Sequence, residues 1–176
     1  MAVENVSKNR RQFHHQATLM ENFTHLNAAD QPTMVDVGTK PVTHRIARAR
    51  ATVRVTDTIL NLLEAGEIKT KKGSVFQTAI IAGIMAAKKT GELIPLCHPV
   101  GMDNCQIEIV VNAQNEIQID CLASVYAKTG IEMEAMTGAS VAALTIYDMC
   151  KAFSHDIVIT EIKLMEKRGG KRDFTR

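Results

Sequence analysis

An α+β fold with the element order βαββαβ is predicted from three features of the 176-residue chain. Arg48, Arg50, Thr52 and Arg54 alternate with Ala47, Ala49, Ala51, Val53 and Val55, the period-two signature of a strand with one basic face. Ile107, Ile109 and Val111 alternate in the same way before a polar turn at 112–116, as do Ile117, Ile119, Cys121 and Ala123 after it. The two runs read as an antiparallel hairpin. Residues 131–152 place Ala135, Gly138, Ala139, Ala142 and Ala143 at spacings of three and four, a helix whose narrow apolar face can approach a neighbour closely.

The elements follow in order. Residues 1–32 are polar, carry His14, His15 and His25 and lack periodicity, so they are expected to form a flexible N-terminal arm before a single domain over 33–176. The alternating arginines of the first strand leave two readings, a face for a polyanion or charges guarding a sheet edge. Thr56 or Asp57 can cap a short helix through Leu60, Leu62 and Leu63 that ends at Gly66. After a connection rich in lysine (Lys69, Lys71, Lys72), a second helix runs from about Ser74 to Thr90 and stops before Gly91. Pro95 and Pro99 break the chain ahead of the hairpin, and Ile157–Met165 closes it as a strand. With the extra helix set aside, this is the ferredoxin-like pattern. A sheet this small leaves one face open, to be covered by oligomerisation or by the arm.

Composition narrows the function. With 45% hydrophobic and 23% charged residues the chain matches a soluble globular protein able to bury a core. It has no tryptophan and only two tyrosines, which argues against stacking platforms for single-stranded nucleic acid. Net charge is only +2, yet cations cluster: Arg45, Arg48, Arg50 and Arg54; Lys69, Lys71 and Lys72; Lys167, Arg168, Lys171 and Arg172. Local clusters on a near-neutral chain suit a small polyanion better than a duplex. Four cysteines without CxxC spacing, and no signal-peptide stretch, predict a reduced cytoplasmic protein with free thiols. No apolar run approaches the roughly 18 residues that span a bilayer.

Several constellations could carry chemistry. Cys97-His98 would need two further partners to hold zinc, and no second pair stands at zinc-site spacing, so no metal is expected. Adjacent residues seldom form a nucleophile and base, which leaves a buried thiol in a proline turn or a histidine that contacts a ligand. Asp148 and Lys151 are three apart, neighbours on one helix face. They read either as a surface ion pair or as a partly buried pair with pKa values shifted for proton transfer. Glu132 and Glu134 suit a helix start, whereas Asp148 lies at the end that disfavours a carboxylate. Lys167-Arg168-Gly169-Gly170-Lys171-Arg172 joins paired glycines to four cations, without P-loop spacing.

Leu93-Ile94-Pro95-Leu96-Cys97-His98-Pro99, Lys128-Thr129-Gly130-Ile131-Glu132-Met133-Glu134-Ala135, the run from Ala139 to Lys151, and Lys167-Arg168-Gly169-Gly170-Lys171 together resemble the MoaC family. The likeness runs from about Met34 to Phe174, and Arg168 departs from it where a small residue, commonly Ser, is usual. The resemblance implies a lyase of molybdenum cofactor biosynthesis. Its substrate would be a cyclised dihydroguanosine triphosphate, converted to cyclic pyranopterin monophosphate and pyrophosphate. It also implies a ferredoxin-like homohexamer, a trimer of dimers with active sites at subunit interfaces.

Residue by residue, the resemblance implies Asp148, Lys151 and Lys167 as catalytic, with Lys167 on a C-terminal loop. It places Arg45, Lys72, Cys97, His98, Glu132, Met133 and Glu134 around the substrate. The residue types fit. Arg45, Lys72 and His98 can neutralise a triphosphate, a carboxylate and two lysines can move protons, and Glu132 or Glu134 can accept paired N–H groups. No redox cofactor is required for a rearrangement with elimination, though Mg²⁺ can accompany the triphosphate. A nucleotide-binding regulatory module and an oligomeric scaffold share many of these features without turnover. Both ends of the 131–152 helix carry charge, roughly 21 to 29 Å apart along its axis, so they are expected to serve different sites or neighbouring subunits.

Overall fold

The alternating segment does form a strand, β1 (Thr43–Arg54), and it becomes the centre of the sheet rather than an edge. A computed structural model describes residues 29–176. The rest of the predicted arm, with His14, His15 and His25, lies outside the described residues. In chain order β1 is followed by α1 (Asp57–Leu60), β2 (Leu63–Glu64), β3 (Glu67–Thr70), β4 (Gly73–Ser74), α2 (Val75–Ala87) and α3 (Thr90–Leu93). Then come β5 (Asn104–Val111), β6 (Glu116–Ala127), α4 (Glu132–Cys150), β7 (Val158–Arg168) and β8 (Phe174–Thr175). Asp36–Arg176 is one unit; residues 29–35 belong to the unit before it and turn at Asp30 (φ 55°).

The main sheet has the order β5-β6-β1-β7-β8 with antiparallel pairing throughout. Without the short β8, that is the ferredoxin-like arrangement. Register follows the hydrophobic alternation: Ala47, Ala49 and Ala51 stand opposite Ala123, Cys121 and Ile119, and all six side chains are fully buried. Alanine is a weak strand former. Its small size here lets α4, whose Ala135, Gly138, Ala139, Ala142 and Ala143 are also buried, lie close on β1 and β6. Between them, fully buried Ile117, Ile119, Ile131 and Ile146 each contribute about 1.5–3 kcal/mol of burial. At the β5–β6 turn, Asn112 Oδ1 accepts N–H bonds from Gln114 and Glu116, both at 2.9 Å, which fixes the hairpin's register.

Three expectations need correction. The helix predicted to reach Gly66 ends at Leu60, and the lysine-rich connection is a small sheet, β2-β3-β4. Ala65 (φ 49°) and Gly66 (φ 78°) both take positive φ between paired Glu64 and Glu67, the signature of a two-residue hairpin turn. Glycine there turns a strand instead of ending a helix. The second helix stops at Ala87, and Gly91 lies inside the separate turn α3. Finally, the arginines of β1 guard no edge. On the sheet face away from the helices Arg50 makes two bonds to Asp120 (3.0 and 2.8 Å), and Arg48 reaches Asp120 (3.4 Å) and Glu166 (3.8 Å). That removes Arg48 and Arg50 from the predicted polyanion cluster and leaves exposed Arg54 at the strand end and Arg45, which alternation turns to the opposite face.

Candidate active site

The predicted site residues fall into three groups, one at each end of α4 and one around the loop after α3. At the start of α4 Glu132 lies in the first turn, where the helix dipole favours a carboxylate. Its Oε1 is 3.2 Å from Lys167 Nζ. Lys167 stands in β7, opposite Ala47 and Phe174, so the loop position implied for it is corrected to a strand end. Ladder bonds on both sides hold its backbone while the side chain points at α4. The chain then turns at Gly169 (φ 80°), whose N–H donates to Asp173 Oδ1 (3.0 Å) and whose carbonyl accepts from Thr43 Oγ1 (2.8 Å). A Cβ at 169 would collide with the His44 carbonyl, so the close approach as well as the φ requires glycine.

A narrow recess lies between these elements, lined by Arg45, Gly130, Glu132, Lys167, Arg168 and Gly170. Arg45 Nε is buried there and has no hydrogen-bond partner among the described residues. Leaving such a donor unmet costs about 1–3 kcal/mol, so a guanidinium and an ammonium sharing a recess are suited to an incoming anion.

At the far end, Asp148 is not the partly buried carboxylate that its apolar neighbours suggested; its side chain is 55% exposed. Lys151 Nζ approaches Oδ1 at 2.7 Å and Lys72 Nζ approaches Oδ2 at 2.9 Å, so each ammonium holds one oxygen. Lys72 also donates to the Asp148 carbonyl (3.2 Å), one of the last-turn carbonyls that a helix cannot satisfy itself. This resolves the anomaly of an acid at a helix C-terminus: two cations and a capped carbonyl offset the dipole. The hydrogen bonds from Lys151 and then Lys72 pull the Asp148 carboxyl down to about 2, and Asp148 raises Lys151 in return. Of the two readings of Asp148 and Lys151, the structure bears out the surface ion pair, with Lys72 as its third member.

The third group surrounds the loop after α3. Glu134 is buried (4% exposed) and lines a cavity of about 360 Å³ with Lys88, Thr90, Glu92, Pro99 and Gly101. Burial, with a smaller push from Glu132, raises its carboxyl above the ordinary range. Burial and the Glu134 charge raise the Cys97 thiol likewise. His98 lines an adjoining cleft of about 270 Å³ with Tyr126, Lys128 and Thr129. Met133, on the same helical turn, is 37% exposed.

Glu134 gives a pH test. The folded state holds its proton more tightly than the unfolded chain, so stability falls as pH rises from the ordinary carboxyl range toward the raised folded value. Glu134→Gln removes that titration. Thermal melts are expected to show the wild type losing stability relative to Glu134→Gln as pH rises through and above the ordinary carboxyl range.

α4 is continuous from Glu132 to Cys150, so Glu132 and Asp148 are roughly 24 Å apart along its axis. Lys167, Glu132 and Arg45 therefore meet, as do Lys72, Asp148 and Lys151, but one chain does not bring the two groups together. Sequence reasoning missed Glu67, Lys128 and Asp120. Lys128 donates to the Gly38 carbonyl at 2.6 Å, and Asp120 gathers Arg48 and Arg50. Only Asp120 left a signal, its place in the alternation of β6 opposite Arg50.

Comparison with known proteins follows the same residues. Residues 34–170 match the MoaC family. A protein of Xanthomonas campestris pv. campestris (strain B100) named cyclic pyranopterin monophosphate synthase is 50% identical over 157 residues, 89% of this chain and 95% of that protein. One of the same name from Xanthomonas axonopodis pv. citri (strain 306) is 51% identical over 152 residues, 86% and 92% of the two chains.

Proposed function

The chain belongs to the MoaC family, and from that premise we propose that it is a cyclic pyranopterin monophosphate synthase. It converts a cyclised dihydroguanosine triphosphate to the cyclic pyranopterin monophosphate and pyrophosphate, in molybdenum cofactor biosynthesis. The observation that carries this reading is the cluster of Lys72, Asp148 and Lys151. A surface carboxylate held between two ammoniums contributes little to stability, about 0–1 kcal/mol per exposed pair, so its organisation is better accounted for by chemistry.

The geometry supports distinct roles. Asp148, pulled down to about 2, stays ionised through the physiological range. It acts as an orienting anion rather than as a base, holding the Lys72 and Lys151 ammoniums at one place. Lys151, raised above its ordinary value by Asp148, stays an ammonium and supplies positive charge and N–H donors. Ammoniums fixed before the reaction can stabilise the charge that develops when a substrate hydroxyl attacks the α-phosphorus and pyrophosphate departs. Arg45 and Lys167 form the other anion-binding group, Glu134 and Glu132 offer acceptors for N–H groups of the guanine-derived ring, and His98 with Cys97 lines the approach. Because the two groups lie at opposite ends of α4, a site that uses both is completed across a subunit interface of a cytoplasmic homohexamer.

Incubating the purified protein with the cyclised triphosphate and measuring pyrophosphate and pterin product tests the reading. The expected result is both products in equal amounts. Binding without release would support a regulatory nucleotide-binding module, and neither binding nor release from folded material would support a scaffold.

A further inference from the structure

Helix α2 begins without a cap of its own: the side chain of its N-cap residue, Ser74, makes no bond to the first-turn N–H groups. A residue from the preceding hairpin supplies one instead. Glu67 Oε1 accepts from Phe76 N at 2.8 Å and from Ile68 N at 2.8 Å, and Glu67 Oε2 accepts from Gln77 N at 3.2 Å. One carboxylate thus meets two orphan donors of the helix and one donor of its own strand, with the helix dipole adding to the attraction.

The consequence concerns what the hairpin carries. Lys69 pairs with Ser74 and Thr70 with Gly73, so Lys71 and Lys72 form the tip of β3–β4. That tip is stiffened by Lys72 N donating to Thr70 Oγ1 (3.1 Å) and Thr70 Oγ1 donating to the Gly73 carbonyl (3.3 Å). The small sheet β2-β3-β4 is separate from the main sheet, and β3 and β4 pack on α2. Helix α2 in turn packs on α4, which bears Asp148. We propose that Glu67 is a positioning residue: by tying the hairpin to the start of α2, it sets Lys72 against Asp148. The inference rests on the proposed function for its catalytic consequence, but not for its geometry.

Two measurements test it. The first needs no turnover: the rate at which a small acylating reagent modifies Lys72, followed by mass spectrometry. An ammonium held by a carboxylate reacts slowly, so Glu67→Ala is expected to raise the Lys72 rate to that seen in Asp148→Asn. The rate at exposed Lys89 should stay unchanged. The second is a double-mutant cycle with Lys72→Ala. Glu67→Ala alone is expected to lower kcat about tenfold, as for a displaced catalytic group, and to lower it less than about twofold when Lys72 is already absent. Glu67→Gln keeps an oxygen for Phe76 and Ile68 but presents an amide to Gln77. It is expected to lie between wild type and Glu67→Ala, and it serves if the alanine variant does not fold.

An unchanged Lys72 rate, or equal losses of kcat in both backgrounds, would overturn the proposal and leave Glu67 a purely structural cap. Absence of turnover in the wild type would instead defeat the proposed function while the labelling result still judged the positioning role.

Discussion

Lys167→Ala is expected to lower kcat/KM for the cyclised triphosphate by about 10³-fold or more, with the protein still folded. The size follows from what the residue does in the recess. Lys167 lines the recess with Arg45 and Arg168, and of these three cations it is the lysine, the one able to give up a proton. Its loss leaves Glu132 facing the incoming anion with no neutralising partner, so repulsion adds to the missing attraction. The stability cost is small, because the Lys167–Glu132 pair is about one-third exposed (37% and 29%) and such pairs are worth about 0–1 kcal/mol. Glu132 also keeps the favourable dipole of the α4 start. Lys167→Arg separates two roles: it retains charge but cannot donate a proton near neutral pH. It is expected to restore KM while kcat stays low, measured by steady-state pyrophosphate release. If Lys167→Ala kept most of its single-turnover product, Lys167 would have no part in the chemistry.

What the sequence made legible depended on how local the determining interactions are. Alternation at 47–55 and 107–123 located three strands of the main sheet, because each buried side chain sits on a strand whose partner repeats the same period. The small-residue stripe located α4 to within two residues at each end. The β2-β3-β4 sheet was illegible because each strand is only two to four residues long, too short for a period to show. Its Ala-Gly turn also lacks the Asn or Asp that usually marks such hairpins.

In the site, spacing carried part of the geometry and not the rest. The separation of the two ends of α4 could be read from spacing, since helical rise is fixed. The exposure of Asp148 could not, because Lys72 reaches it from 76 positions away. Glu67 was invisible for the same reason: its value comes from helix donors nine and ten residues on, across a turn that periodicity did not register.

Gly83→Val is expected to destabilise the protein by at least about 3 kcal/mol, the upper end for overpacking a core. Glycine inside a helix ordinarily costs about 1 kcal/mol relative to alanine, so a larger residue in α2 would stabilise it wherever space allowed. Here the space is taken. A Cβ at 83 would run into the Ile107 side chain and lie 2.7 Å from the Gly138 carbonyl oxygen, with Ala142 Cβ at 3.2 Å. A flexible side chain could move aside, but the carbonyl is part of the α4 ladder and cannot. Gly138 mirrors the arrangement, its added Cβ lying 2.7 Å from Cys121 Sγ and 3.4 Å from the Gly83 carbonyl oxygen. α2 and α4 therefore cross backbone against backbone, and valine would force them apart along their shared contact.

For a chain of this size each kcal/mol moves Tm by about 2–4 °C, so the melt should fall by roughly 6–12 °C. Gly101→Ala, where an added Cβ meets nothing within 4 Å, should stay within about 0.5 kcal/mol and controls for substitution itself. A Gly83→Val protein melting within about 2 °C of the wild type would show that the crossing relaxes more easily than its carbonyl contacts require. Should the melt fall as expected, activity at a permissive temperature should fall with it. A tilt of α4 displaces Glu132 at one end and Asp148 at the other, and with them both halves of the proposed site.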